Sequence, residues 1–368
     1  FLQLTLGYLL GRILVAGLLL PHYFKGELST AYQFVGQRFG DGMRRAASGT
    51  FILTRVLADG VRLFATAIPL AVIFRFSGQF AGLSDFHVYV LAILLITVAT
   101  GIYTYFGGIR AVIWMDVVQL GLYIGGAGLA FGLLWNALPS SSGQILASLQ
   151  DAGKLELFRF GGGMDLRGIL ADPYVFWVSL FGGAVFSIAS HGTDQLIVQR
   201  LLTTRTLRES QLALVASGVL AMLQFAFFLG IGLLLWIYYG GATADALGLS
   251  TLDEVFIKYV VEQMPAGMPG LIVAALLAAA MSSLSSSLSA LASSTTLDIL
   301  PFFRNRRAAA SSAPVPEPDD AAELSLSRYV SLIWGLVLAG SAVGFAWLQL
   351  NGGGSRPAVV ELGLGIAS

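Results

Sequence analysis

The sequence has no cysteine, only three histidines and few charges. The lack of cysteine excludes disulfides and thiolate metal sites, although it does not identify a compartment. Charged residues are 11% of the 368, against about 25% in an ordinary soluble domain. That is too few for a water-facing surface around a chain of this length. No glycine-rich phosphate loop of the kind that serves ATP-driven pumps occurs. Neither does a Cys/His cluster, a metalloprotease-type motif or a plausible nucleophile–base pair, so no enzymatic activity is expected. Lys plus Arg equals Asp plus Glu at 21 each, which gives no reason to expect a nucleic-acid partner.

Apolar residues are what the chain has instead. They make up 56% of it, and the mean hydropathy is +0.78. A lipid bilayer as solvent explains this balance, because it removes the need for a polar exterior. Apolar stretches of spanning length, roughly 17–25 residues or more, lie near 1–20, 48–74, 86–106, 110–135, 172–192, 211–239, 267–299 and 327–349. A ninth begins near 358 and stops short at 368. Barrel strands would be shorter and would alternate in polarity. The expected fold is therefore all-α, a polytopic membrane bundle of about eight full spans plus a partial ninth. The chain starts at Phe1 with no leader pattern, and it is expected to be truncated at both ends.

The connectors differ in kind. Residues 30–40, TAYQFVGQRFG, are amphipathic and basic, which suits a short helix lying in the interface. Residues 140–165 are long and mixed in character. The 300–326 segment, rich in Pro, Ala, Ser and charge, reads as a flexible cytoplasmic loop. Basic residues set the orientation. One set of alternate loops carries Lys25, Arg38, Arg44, Arg45, Arg110, Arg200, Arg205, Arg208, Arg304, Arg306, Arg307 and Arg328. The other set has Arg75, Lys154, Arg159, Arg167, Lys258 and Arg356. The richer set is expected on the cytoplasmic side.

Ionisable groups inside spans cost a few kcal/mol each unless paired or hydrated, roughly 2.5–3.5 on insertion scales. Arg55, Asp59 and Arg62 are spaced four and three apart, so they share a helical face with Thr66. They form either a structural ion-pair ladder or part of a pathway whose spare positive charge suits a carboxylate-bearing solute. Arg12, also mid-span, is expected to pair with an acidic neighbour. Asp116, after GGIRAVIWMD, is either a cap at a helix start or a cation ligand, with Gln119 and Tyr123 at helical spacing. Ser187, Ser190, His191 and Asp194 make a polar face for either a cavity or helix contacts.

The seventh span ends in a crowd of hydroxyls, AAAMSSLSSSLSALASSTTLDIL. Small residues let helices approach closely, but here hydroxyls point to several faces. Hard cations prefer oxygen ligands, and sodium is one. Ser282 and Ser283, with the Ala279 carbonyl one turn earlier, offer part of such a shell. Packing and cation binding both remain open on periodicity alone.

Four segments, LPHYFKGELSTAYQFVGQRFG, YFGGIRAVIWMDVVQ, HGTDQLIVQRLLTTRTLRESQ and AALLAAAMSSLSSSLSALASSTTLDI, resemble the sodium:solute symporters in order and spacing, over nearly the whole chain. The resemblance implies a LeuT-like inverted-repeat architecture with binding near the midplane. It also implies one transmembrane transporter domain over 1–368, lacking the first core helix, in a cell membrane of bacterial inner-membrane type. The implied function is sodium-coupled symport of a small organic solute by alternating access. Sodium is the coupling ion, and the partners are solute, sodium and the lipid bilayer. A symporter-like sensor module of a signalling protein is the alternative.

By the same resemblance the general sodium site falls on Ala279, Ser282 and Ser283, and the acidic residue that some members use in coupling falls on Asp116. The glutamate and lysine of sugar-carrying members are replaced by Thr5 and Ala221, and their asparagine by Asp59. Ser187 and Gln224 fall on cavity-facing positions. A sialic-acid-type member is similar in placing an arginine where Arg55 or Arg62 stands. The resemblance therefore disfavours a galactose-type sugar and favours an organic anion, held by Arg55, Asp59, Arg62, Ser187 and Gln224.

Overall fold

The computed structural model describes residues 2–26, 28–76, 80, 82–138, 141–249, 255–265, 267–304 and 320–351. Its regular structure among these residues is helical, as expected where backbone polar groups must be satisfied without water. Helix α1 runs Leu2–Lys25, with a π-helical stretch at Val15–Leu19. The short α2 covers Ala31–Phe39, where the interface helix was expected. It starts at a capping box: Thr30 Oγ1 accepts from the Gln33 amide at 3.1 Å, and Gln33 Oε1 accepts from the Thr30 amide at 3.4 Å.

Helix α3 spans Asp41–Phe76. Helix α4 spans Asp85–Ala137, 53 residues broken at Gly108. At 1.5 Å per residue that is about 80 Å, more than twice a hydrocarbon core of about 30 Å, so it supplies two spans. The break falls in the gap expected between 106 and 110. Gly108 has φ +55°, in the left-handed region where side chains with a Cβ are disfavoured.

The connector after it holds α5, Ser142–Asp151, and α6, Leu166–Ala171. Then come α7, Phe176–Gly192, α8, Gln195–Leu201, and α9, Leu207–Tyr238. After α10, Val255–Gln263, α11 covers Met268–Ser294 and continues as a π-helical stretch, Thr295–Ile299. Helix α12 covers Asp320–Asn351. Of the 300–326 segment, residues 300–304 and 320–326 are helical, and the remainder lies outside the described residues, as does the partial ninth span. Among the described residues, Leu2–Lys25, Asp85–Ala137, Leu207–Tyr238 and Ala322–Leu350 are long and apolar enough to cross a membrane.

The chain folds into two compact units. The first joins Phe1–Glu27 to Ile124–Ile272, the second Leu28–Tyr123 to Val273–Ser368. The chain visits them alternately, first, second, first, second.

In the first unit α1 lies against α7 through small residues. A Cβ on Gly11 would sit 2.5 Å from the Ala184 carbonyl oxygen, and one on Gly7 would sit 2.6 Å from that of Leu180. Main-chain atoms cannot swing aside, so the helices would have to part. Gly11→Ala is expected to cost about 1–3 kcal/mol, as overpacking does. Thermal melting of the solubilised full-length protein reads this, and an unchanged midpoint would contradict it. The contact is completed by Tyr23, whose hydroxyl donates to the Gly192 carbonyl at 2.6 Å.

Candidate functional site

Two groups of predicted residues come together in the second unit. The first is the charged triad on α3. Arg62 Nη1 lies 3.0 Å and Arg55 Nη1 3.7 Å from Asp59 Oδ1. The Asp59 side chain is 3% exposed, Arg55 15% and Arg62 51%. One buried carboxylate thus holds two cations, and the pairing is the i,i+3 and i,i+4 ladder that the spacing predicts. Ladder and pathway are not exclusive here, because Arg62 keeps half its surface open. A small cavity lined by Asp59, Arg62, Leu63, Thr66, Ala280 and Leu284 joins this triad to α11.

The second group is on α11 and the arm of α4 after Gly108. Asp116 is eight residues beyond the helix break, which removes the cap reading. Its carboxylate accepts a hydrogen bond from the Ser282 hydroxyl. A hydroxyl whose proton is engaged by a carboxylate turns its lone pairs elsewhere, which is the polarity a cation needs. Ser283 Oγ lies 3.5 Å from the Ala279 carbonyl, the limit of a hydrogen bond. The four expected residues Ala279, Ser282, Ser283 and Asp116 are thus neighbours, with an anion among neutral oxygens.

Three further residues belong to this neighbourhood and escaped the sequence reading. Ser285 and Ser286 donate to the Ser282 carbonyl at 3.0 and 2.7 Å, and Tyr103 donates to the Met281 carbonyl at 2.9 Å. The last had a signal: Thr97, Thr100, Tyr103 and Thr104 repeat at helical spacing inside an apolar span. Thr97, Thr100 and Thr104 are all buried.

Ser187 and Gln224 lie in the first unit. Ser187 is fully buried, and its hydroxyl donates to the Tyr8 carbonyl at 2.9 Å, in the contact between α7 and α1. Gln224 is half-buried on α9. Arg12 Nη1 donates to Ser217 Oγ on α9 at 2.9 Å; an acidic partner on a helix outside this sequence, the other place expected for one, is not tested by this contact. Asp194 is a helix cap, accepting from the Leu196 amide at 2.9 Å. His191 Nδ1 pairs with Ser190 Oγ at 2.8 Å.

Residues 1–315 match the profile of the Sodium:solute symporter family. The chain belongs to that family. Its members are transporters rather than enzymes, so the chain is a multi-pass membrane protein. It is 29% identical over 345 residues to the sodium-dependent multivitamin transporter of Oryctolagus cuniculus, covering 91% of this chain and 49% of that one. It is 28% identical over 333 residues to the sodium/sialic acid symporter SiaT of Proteus mirabilis (strain HI4320), covering 90% and 61%. A solved structure of a Na+-coupled sialic acid symporter, in a substrate-bound outward-open state with a novel Na+ site, superposes with a TM-score of 0.72. The identity is 25%, over 95% of this chain and 68% of that one. The fold is accordingly the LeuT-like one. The chain spans about half to three fifths of the curated relatives' length.

Proposed function

We propose that this chain is part of a symporter that couples sodium entry to uptake of a small organic solute bearing a carboxylate, by alternating access. It forms a single transporter domain in the lipid bilayer, of bacterial inner-membrane type. Sodium is carried as a second substrate at Ala279, Ser282, Ser283 and Asp116. The observation that supports this most is the Asp116 carboxylate on the Ser282 hydroxyl, beside the Ala279–Ser283 turn. One anion and several neutral oxygens suit a monovalent hard cation, and desolvating such a cation needs that many partners.

The solute's acid group is met by Arg62, which Asp59 holds in place while half its surface stays open. One relative is named for an acid, which agrees with this chemistry. Arg55, Asp59, Ser187 and Gln224 complete the proposed set, with Asp59 and Ser187 acting through the groups they orient. The test is radiolabelled uptake by the full-length protein across sugars, amino acids and carboxylates, with and without a sodium gradient. Uptake of a carboxylate that needs the gradient supports the reading. Gradient-independent uptake, or preference for a neutral sugar, refutes it.

Sidedness follows from the Lys and Arg count. In the naturally cysteine-free chain, Glu156→Cys should react with an impermeant thiol reagent added outside intact cells, and Thr203→Cys should not. Labelling of Thr203→Cys from outside would invert the topology.

A further inference from the structure

The second unit carries a groove on its apolar surface that the transport reading does not use. It runs between the first arm of α4 and α12, and its floor is Leu288 of α11, which is 1% exposed. Three contacts fix its register. Tyr105 meets Tyr329 with ring centroids 6.0 Å apart. A Cβ on Gly101 would lie 3.7 Å from Leu332 Cδ2, and a Cβ on Gly335 would lie 3.6 Å from Thr97 Cγ2. The two helices therefore run antiparallel, and the two glycines open the space between them, about 800 Å³ including its open side.

Residues 97 to 106 rise by about 14 Å, close to half of a hydrocarbon core of about 30 Å. The groove is thus one leaflet long. Its rim is apolar and open: Val98 is 57% exposed, Phe106 72% and Leu336 70%. One end is polar. There the Tyr105 and Tyr329 rings meet, and Arg328 directly precedes Tyr329 on α12. Arg328 lies one helical turn before Leu332 of the groove, and a guanidinium at that end suits a phosphate oxygen, which Arg recognises well. That end is also the one to which the basic-residue count assigns the cytoplasm, where anionic lipids gather.

We propose that this groove binds one anionic phospholipid of the cytoplasmic leaflet, with an acyl chain over Gly101 and Gly335 and the phosphate at Arg328. The full-length protein is reconstituted in nanodiscs of phosphatidylcholine doped with phosphatidylglycerol bearing a diazirine on one acyl chain. Labelled peptides are then mapped by mass spectrometry. Label is expected on 97–106 and 331–336 well above that on other lipid-exposed residues such as Leu220 and Leu223.

Gly335→Leu fills the groove from a position where a Cβ makes ordinary contacts, and it should remove the excess label. Arg328→Gln should cut the preference for phosphatidylglycerol over an identically tagged phosphatidylcholine by about fivefold, the worth of one basic residue at a charged membrane surface. Arg328→Lys should restore most of it. Label on the groove no greater than elsewhere in the wild-type protein would overturn the site, whether or not the variants fold. Equal labelling by the two lipids would overturn the phosphate contact. A cross-linked dimer through these segments would show that a second copy, not a lipid, fills the groove.

Discussion

Ser282→Ala and Asp116→Asn in the full-length protein are each expected to raise the sodium concentration for half-maximal uptake by about tenfold or more. A hydrogen bond or ligand contact to a charged group contributes about 1.5–3 kcal/mol, and 1.4 kcal/mol is one decade. The two substitutions remove different things. Alanine takes away the hydroxyl oxygen and leaves Asp116 without its donor from Ser282. Asparagine keeps the shape and an oxygen that can accept from Ser282, but it removes the charge and puts an N–H donor in place of the second carboxylate oxygen. Ser283→Ala should act in the same direction with a smaller effect, because its contact to the Ala279 carbonyl is long at 3.5 Å. Solute affinity at saturating sodium should change less in all three, since these oxygens reach the solute only through linkage. Helix packing alone predicts the reverse for serine, because alanine is small and tolerated at a close contact. Unchanged sodium dependence in well-expressed variants would remove the cation from these residues.

The charged triad gives the second large effect, and two variants separate its two roles. Arg62→Gln is expected to weaken a carboxylate solute by about 2 kcal/mol, roughly thirtyfold in apparent affinity. That is the lower end for truncating one member of a buried charge pair, chosen because half of the Arg62 side chain is exposed. Folding should change little, since Arg55 remains near Asp59.

Asp59→Asn is expected to act on folding instead. It leaves two cations side by side in a membrane helix, and breaking a buried pair in this way costs about 3–5 kcal/mol. The melting midpoint should drop, and Arg62→Gln added to Asp59→Asn should recover part of it. If Arg62→Gln leaves affinity for every accepted solute unchanged, the triad is structural and the solute's acid group is held elsewhere.

Much of this was legible in the residues, and the reasons are local. Helical spacing alone pairs Arg55 and Arg62 with Asp59, because positions three and four apart share a face. The Gly107–Gly108 doublet marks the break in α4, because φ +55° favours glycine. Thr30 and Gln33 announce a capping box before α2. Contacts between distant segments were not legible from local pattern. Nothing about Asp116 by itself points to Ser282, which is 166 residues away. Arg12 needs a polar partner inside its span, and the local pattern does not say that Ser217, 205 residues away, is one. The polar face on α7 divides for the same reason. Ser187 serves the contact with α1, whereas Asp194 caps α8. The π-helical stretches at Val15–Leu19 and Thr295–Ile299 left no mark in composition.

Coupling is the central claim, and its most direct test runs the transporter in reverse of its usual drive. The full-length protein is reconstituted in liposomes with equal sodium on both sides and a trace of labelled sodium outside. An inward gradient of the carboxylate solute found in the uptake panel is then imposed. Because linkage between the two substrates is reciprocal, labelled sodium should accumulate transiently above its equilibrium level, and Asp116→Asn should abolish that overshoot. Sodium entry that is the same with and without the solute gradient would contradict coupled symport.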